Sequence, residues 1–383
     1  MLTSNILFKK FKENKKNPKL NKKLFSLFKD KNEVLKSLSK NYLDSFNKKI
    51  LNKYKKDMDF RVIGMGGSTL GAQTIYDFLN EKVKKNFSFI DNIEVKKKIS
   101  KKKKTNLIIS KSGNTIETIV NTNLFVNKKD KNIFITENKK SYLYLLAQKL
   151  KSEIVHHNNF IGGRYSVLSE VGMLPAELMG LNPTKFRCLN DLIKNKNFIN
   201  ALISNVNSII HLAKKKKFNS IIINYDHKSE NLFNWYQQLV AESLGKKKKG
   251  ILPIVSNMPK DNHSVMQLYL DGFNSNFFTF FYVREKNSLK IDNNKLLLSE
   301  KYLKNKRLDS IIYAQKKATE NVFIKKKIPF RSFEIKKRDE KSLGELFCFF
   351  ILETILLGKA LNLNPYDQPA VELIKIETKK LLT

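Results

Sequence analysis

A regular alternation of short apolar segments, small-residue loops and helical patterns constrains the fold more than any other feature of this sequence. The apolar segments are rich in Ile, Val and Phe and are a few residues long. They begin near Phe60, Asn106, Asn132, Ile154, Ser220, Ile251, Phe277 and Phe330. This alternation is typical of βαβ units, in which helices cover both faces of a parallel sheet. The sequence therefore predicts an α/β fold with parallel sheets.

Two interruptions divide this pattern into parts. The chain before Phe60 is rich in lysine and has apolar residues at helical spacing, and a helical stretch at Leu192–Leu212 separates the fourth apolar segment from the fifth. We predict an N-terminal helical segment over residues 1–57, a first α/β domain over 58–190, a second over 191–340, and C-terminal helices over 341–383.

The chain is strongly basic, but its charge does not favour a nucleic-acid binder. It has 73 Lys and Arg against 35 Asp and Glu, a net charge of +38, and only seven of the cations are Arg. Bidentate contacts to bases and phosphates depend on Arg. The lysines occur in runs spread along the chain, at Lys101–Lys104, Lys214–Lys217, Lys246–Lys249 and Lys325–Lys327. We interpret them as a lysine-rich surface and expect no specific nucleic-acid binding.

The cysteines and the apolar runs indicate a cytoplasmic protein. Cys188 and Cys348 are too few for a disulfide framework and lie in apolar surroundings. The N-terminus has no apolar core of a signal peptide. The longest apolar run, Leu346–Leu352, is far shorter than the ~20 residues of a membrane span. We expect reduced thiols and no membrane association.

Two loops rich in glycine and hydroxyl groups follow the first two apolar segments. The first, Gly64–Gly71, holds four of the 14 glycines together with Ser68, and the second, Ser110–Thr118, carries several hydroxyls around one glycine. Free N–H groups at a helix N-terminus suit a phosphate, and neither loop has a dinucleotide or Walker pattern. Each loop alone is also compatible with an ordinary strand-to-helix turn. Together, on successive strands, they favour a phosphate site.

These loops resemble the sugar-phosphate loops of sugar isomerase (SIS) domains, and later segments narrow the resemblance to the glucose-6-phosphate isomerase family. The later segments follow the family's order, and the resemblance extends from about Phe60 to Lys375. They are Gly162–Ser166 with Val171–Ala176, Gln238–Lys246, His263–Gly272 and Asn364–Lys375. The resemblance implies two SIS-type three-layer α-β-α domains with parallel sheets, plus N- and C-terminal helices, the latter completing the active site.

The resemblance also implies which residues act in an aldose–ketose isomerisation. This reaction needs a base for a carbon-bound proton, help with ring opening, and positive charge beside the enediolate. The family's pattern makes Glu242 the base, His263 (from the partner subunit) and Lys375 the ring-opening groups, and Arg164 the stabilising cation. The residues implied for binding the sugar phosphate are Gly67, Ser68, Ser110, Lys111, Ser112, Thr115, Gln238 and Gln368.

We therefore expect a homodimer that interconverts glucose 6-phosphate and fructose 6-phosphate through a cis-enediol. We expect no cofactor, and the sequence has no His/Cys/Asp cluster that indicates a metal site. One alternative is a related isomerase that also accepts mannose 6-phosphate. Another is a sugar-phosphate sensor or nucleic-acid binder without catalysis. That second alternative is disfavoured, because such a protein has no need for all four of the implied catalytic residues.

Overall fold

Ten strands in two sheets form the framework of the protein in a computed structural model. The structure describes residues 1–12, 18–30, 32–94 and 103–383, so Lys101 and Lys102 of one lysine run lie outside the described residues. The strands are β1 (Ile6–Lys9), β2 (Asp59–Ile63), β3 (Asn86–Ile90), β4 (Thr105–Ile109), β5 (Lys131–Thr136), β6 (Glu153–His156), β7 (Asn219–Asn224), β8 (Leu252–Asn257), β9 (Asn276–Val283) and β10 (Phe330–Ile335).

The two sheets have five strands each in the described part of the chain. The first has the order β3-β2-β4-β5-β6 and is parallel throughout. The second has the order β1-β10-β9-β7-β8, and only β1 runs antiparallel to its neighbour. The central strands β4 and β9 are buried along their whole length, as expected for parallel strands that are covered on both faces.

Helices connect the strands and cover the sheets. They are α1 (Pro18–Lys29), α2 (Glu33–Ser37), α3 (Lys48–Tyr54), α4 (Leu70–Phe78), α5 (Ile116–Phe125), α6 (Tyr142–Lys149), α7 (Glu170–Leu178), α8 (Pro183–Phe186), α9 (Leu189–Leu192), α10 (Lys196–Lys214), α11 (Glu230–Leu244), α12 (Met266–Asp271), α13 (Leu308–Lys325), α14 (Glu340–Leu361) and α15 (Ala370–Leu382). None of the helices in the described part is long and apolar enough to cross a membrane.

The long helix α14 lies at the centre of the molecule. It is buried from Ser342 to Gly358 and packs against α1, α8, α10 and α11. The largest hydrophobic core extends from the first sheet across α14 to the second sheet. Two smaller cores fill the opposite faces, one between the first sheet and α5 and α6, the other between the second sheet and α12 and α13. Each sheet is thus the middle layer of three.

The predicted fold class is confirmed, with two differences at the sheet edges. All eight predicted strands are present, but the sequence pattern did not predict β1 or β3. Both are edge strands of four or five residues with several part-exposed positions, so their apolar pattern is weak. The strand β1 also lies within the segment predicted to be helical and adds an antiparallel edge to a sheet predicted to be parallel. The four-part division of the chain stays a prediction.

Candidate active site

The first glycine-rich loop leaves the carboxyl end of β2 and passes against the segment that carries Arg164. Gly66 has a φ of +52°, which favours glycine. A Cβ on the buried Gly67 would lie 2.2 Å from the carbonyl carbon of Gly163 and 2.6 Å from the backbone nitrogen of Arg164. Glycine at position 67 therefore permits a backbone contact between the two segments. Ser68 follows directly and is half-buried.

The second loop leaves the neighbouring strand, β4, at the same edge of the sheet. The buried Ser110 hydroxyl lies 3.0 Å from the hydroxyl of Thr115. Ser112 is exposed, and its oxygen accepts a hydrogen bond from the N–H of Asn114 at 3.3 Å. Gly113 has a φ of +66°, which makes the sharp turn between them possible. The loop thus gathers three hydroxyl groups at the carboxyl end of β4, where ligands of open α/β sheets bind.

The helices that follow these two loops begin without a side-chain cap. The side chains of Thr69 before α4 and Thr115 before α5 accept no hydrogen bond from the first helical turn, whereas the side chains of Ser141 and Asp339 cap α6 and α14. The first N–H groups of a helix have no partner within the helix. The two helix N-termini at this edge therefore suit an anion.

Lys111 adds positive charge beside the second loop. Its ammonium group is half-buried and lies 3.7 Å from the carboxylate of Glu137. Burial lowers the pKa of Lys111, the Glu137 carboxylate raises it, and the charge of Arg164 lowers it further. Gly67 of the first loop contacts the backbone of Gly163 and Arg164, so these two segments border one space.

Helix α11 presents three side chains to this space. Gln238 and Glu242 are one turn apart, and the Gln238 amide donates to Glu242 Oε1 at 2.9 Å. Arg164 Nη1 donates to Glu242 Oε2 at 3.1 Å, and Arg164 Nε donates to the Ser243 hydroxyl at 2.8 Å. The carboxylate of Glu242 thus receives one hydrogen bond on each oxygen and is 30% exposed.

The segment before α15 supplies the remaining partners of Arg164. Arg164 Nη2 donates to the carbonyls of Pro365 at 2.7 Å and Asp367 at 3.1 Å, and Nη1 donates to the Gln368 side-chain oxygen at 2.7 Å. The arginine is only 2% exposed. Its planar group of donors is therefore held by two distant segments at once, which a lysine could not achieve.

The single chain does not bring His263 and Lys375 to this cluster. His263 is exposed in a short turn, Lys260–His263, after β8. Lys375 is exposed on α15 and pairs with Glu372 at 2.6 Å. In the described residues neither side chain hydrogen-bonds Arg164 or Glu242. The other ten residues predicted from the sequence lie in the two loops, on α11, in the segment that carries Arg164 or in the segment before α15. Their roles stay predictions.

Comparisons with known proteins agree with this geometry. Residues 31–383 match the family model described as phosphoglucose isomerase. The chain belongs to this family. A glucose-6-phosphate isomerase from Methanocaldococcus jannaschii is 34% identical over 86% of this chain and 86% of its own.

Two solved structures share the fold of this phosphoglucose isomerase family member. A hypothetical protein from Thermus thermophilus has a TM-score of 0.82 at 22% identity and covers 95% of this chain and 94% of its own. A glucose-6-phosphate isomerase from Chlamydia trachomatis has a TM-score of 0.71 at 16% identity and covers 91% and 77%. At these identities the likeness concerns the fold.

Two side chains that contact the arginine cluster, Tyr165 and Ser243, were not predicted from the sequence. The Tyr165 hydroxyl lies 2.8 Å from the Ser243 hydroxyl and donates to the Pro365 carbonyl at 3.0 Å. Both side chains are buried. They lie inside the segments that carry the resemblance to the phosphoglucose isomerase family, so a signal was present in the sequence. Only the three-dimensional contact distinguishes them from other positions of these motifs.

Among the described residues, no group of three or more His, Cys, Asp or Glu could hold a metal ion.

Proposed function

We propose that this member of the phosphoglucose isomerase family interconverts glucose 6-phosphate and fructose 6-phosphate by ring opening and a cis-enediol proton transfer. The observation that supports this most strongly is the contact of the buried Arg164 with the Glu242 carboxylate, next to the two hydroxyl-rich loops. A base, a fixed cation and an anion-binding edge are the parts that the isomerisation of a sugar phosphate needs.

The two loops bind the phosphate end of the sugar in this proposal. The N–H groups of the uncapped helices α4 and α5 and the loop hydroxyls donate to the phosphate oxygens. Lys111 adds charge at the same edge. The residues that we propose for this binding are Gly67, Ser68, Ser110, Lys111, Ser112, Thr115, Gln238 and Gln368.

Glu242 moves the proton between the two reacting carbons. Each of its carboxylate oxygens accepts one hydrogen bond, so lone pairs remain free to take the proton from C2 of the open sugar. Arg164 stabilises the negative oxygen of the enediolate that forms. A second proton moves from O2 to O1 in the enediol, and Glu242 returns its proton to C1. Oxidation at C2 therefore balances reduction at C1, and no redox cofactor is needed.

Ring opening requires a second copy of the chain in this proposal. His263 and Lys375 are exposed in the single chain, as are many apolar residues of α15. The exposed apolar residues of this helix are Val371, Leu373, Ile374, Ile376, Leu381 and Leu382. Because such an apolar helix surface is normally covered, we propose a homodimer in which His263 reaches the site of the partner subunit and Lys375 assists near the ring oxygen.

We further propose that the enzyme works in the cytoplasm. This rests on its substrate and on Cys188 and Cys348, which are both free and buried. Burial raises the pKa of the Cys188 thiol to about 12, so this thiol stays protonated and unreactive.

A coupled assay of fructose 6-phosphate formation by the purified protein tests this function. Glu242→Gln is expected to fold and bind the substrate but to lower kcat by about two to four orders of magnitude, because the variant has no base. A near-normal rate in this variant would contradict the mechanism. Mannose 6-phosphate is assayed in parallel, and turnover of this sugar would favour the alternative of a related isomerase that accepts both substrates.

Mixing two inactive variants tests the contribution of the partner subunit. Glu242→Gln and His263→Ala are each expected to be inactive alone. After subunit exchange, heterodimers contain one intact site if His263 acts across the interface, and about a quarter of the wild-type activity should return. No recovery in a mixture whose exchange is verified by mass spectrometry would place both residues in the same chain's site.

A further inference from the structure

We infer that Lys246 is a positioning residue for Arg164 and acts through the loop Asn364–Gln368. This inference rests on the proposed function, because Arg164 is the cation of the proposed mechanism. It concerns a residue outside the residues proposed for catalysis and binding above.

The ammonium group of Lys246 joins both ends of this loop. It donates to the Asn364 carbonyl and, at 2.6 Å, to Asp367 Oδ1. The Lys246 side chain is 12% exposed, whereas the Asp367 side chain is 52% exposed, so the contact lies at the protein surface with its lysine end buried. The hydrogen bond from Lys246 also lowers the pKa of Asp367. We call these contacts of Lys246 with the loop the lysine clasp.

The backbone fixes Lys246 at the end of the helix that carries Glu242. Helix α11 ends at Leu244, and a Cβ on Gly245 would lie 2.6 Å from the Ala241 carbonyl, so the chain turns there on a glycine. The N–H of Lys246 donates to the Lys249 carbonyl at 3.0 Å, and the N–H of Lys249 donates back at 2.9 Å. The tight turn over residues 246–249 therefore places the ammonium relative to α11.

The loop that the clasp holds supplies three of the five acceptors of Arg164. They are the carbonyls of Pro365 and Asp367 and the side chain of Gln368. The other two acceptors, Glu242 and Ser243, lie on α11. Lys246 thus connects the end of α11 to the loop Asn364–Gln368, and these two elements supply the acceptors of Arg164. If the loop moved, Arg164 would lose partners in a buried place, which disfavours its present orientation.

Lys246→Met tests this inference, with Lys247→Met as the matched control in the same turn. Lys247 is exposed and has a φ of +51°, a strain that methionine shares with lysine. Lys246→Met is expected to lower kcat by about tenfold to a hundredfold, with a smaller change in KM, because small displacements of a catalytic group have effects of that size. Lys246→Arg should recover most of the rate, and Lys247→Met should match the wild type.

Hydrogen exchange by mass spectrometry gives a second readout that does not depend on activity. The peptide that covers residues 361–369 should exchange faster in Lys246→Met than in Lys247→Met, with an unchanged melting temperature. A structural role without positioning would instead lower the melting temperature and leave kcat of the folded fraction unchanged.

The outcomes separate this inference from the proposed function. If the wild type isomerises glucose 6-phosphate and Lys246→Met does so at the same rate, the inference is wrong. If the wild type does not turn over this substrate, the proposed function is wrong. The hydrogen exchange of residues 361–369 then tests the lysine clasp, and equal exchange in Lys246→Met and Lys247→Met would overturn it. If Lys246→Met does not fold, Asp367→Asn removes only the ionic contact and should give an intermediate loss, and a wild-type rate there overturns the inference.

Discussion

At the scale of single residues, His157 shows how burial near the loop that carries Lys111 affects protonation. Its side chain is 1% exposed, and Nδ1 lies 3.1 Å from the Asn158 carbonyl and 3.9 Å from the Glu170 carboxylate. Burial lowers the pKa of His157 from 6.5 to about 4, and the positive charge of Lys111 acts in the same direction. The folded protein therefore keeps this histidine neutral at a pH at which the unfolded chain protonates it.

This predicts a loss of stability on acidification. Because the folded pKa lies below the unfolded value, the contribution is fully present above pH 6.5 and decreases as the pH falls from 6.5 towards 4. We expect His157 to lower the free energy of unfolding by about 2 kcal/mol between pH 7 and pH 5. Urea unfolding across this range should show a smaller decrease in His157→Gln, and the wild-type decrease in His227→Gln, whose side chain is exposed. Equal slopes in all three proteins would refute the assignment to His157.

At the scale of elements, a buried ion pair connects the central helix to its neighbours. Glu353 on α14 pairs with Arg331 on β10, and both side chains are fully buried. The Tyr236 hydroxyl of α11 donates to Glu353 Oε1 at 3.1 Å, and Asn205 of α10 donates to the other oxygen. The helix that carries Glu242 is thus anchored to α14 by a polar group as well as by the hydrophobic core.

Removing one member of this pair should be strongly destabilising. Glu353→Ala leaves the Arg331 guanidinium charged, buried and without its carboxylate, so we expect the free energy of unfolding to fall by about 3–5 kcal/mol. Glu377→Ala, which breaks the exposed pair with Lys380 on α15, is the control and should leave the unfolding curve unchanged. Urea denaturation measures both. A Glu353→Ala protein as stable as the control would show that the pair does not anchor the helix.

At the scale of the whole molecule, the two sheets share the order of four parallel strands but differ in the residues that follow the carboxyl ends of these strands. The strands β8-β7-β9-β10 repeat the order of β3-β2-β4-β5, and β1 occupies the fifth position. In the second sheet, however, the carboxyl ends of β7 and β9 are followed by Asp226 and Glu285, which both pair with Arg338. Carboxylates at this edge disfavour a phosphate, so the repeat of the fold does not repeat the candidate site.

The two ends of the chain should respond differently to truncation. Removing residues 1–10 uncovers the β10 edge and deletes the buried side chains of Leu2 and Ile6. We therefore expect faster hydrogen exchange of β10 and self-association of the truncated protein. Removing residues 370–383 deletes an exposed helix, so the exchange of the sheets should not change while turnover is lost with Lys375. Two results would contradict this prediction. One is faster hydrogen exchange of the sheets after the C-terminal truncation, and the other is unchanged exchange of β10 after the N-terminal truncation.

The sequence by itself determined the features that local patterns encode. Eight of the ten strands in the described residues, the two glycine-containing loops after β2 and β4 and the α/β class followed from periodicity and from glycines such as Gly66 and Gly113. Burial on both faces and positive φ each restrict the residue types that can occur at a position. The short edge strands β1 and β3 were not predicted, because their part-exposed positions give a weaker apolar pattern in the sequence.

Only the tertiary structure decided which side chains meet. Glu242 and Gln368 lie 78 and 204 residues from Arg164 along the chain, yet both accept hydrogen bonds from its Nη1. Such contacts depend on how α11 and the segment before α15 pack, and no local pattern contains that information. The contacts of Lys246 with Asn364 and Asp367 arise in the same way. His263 and Lys375 remain predictions, because the packing of one chain leaves both exposed.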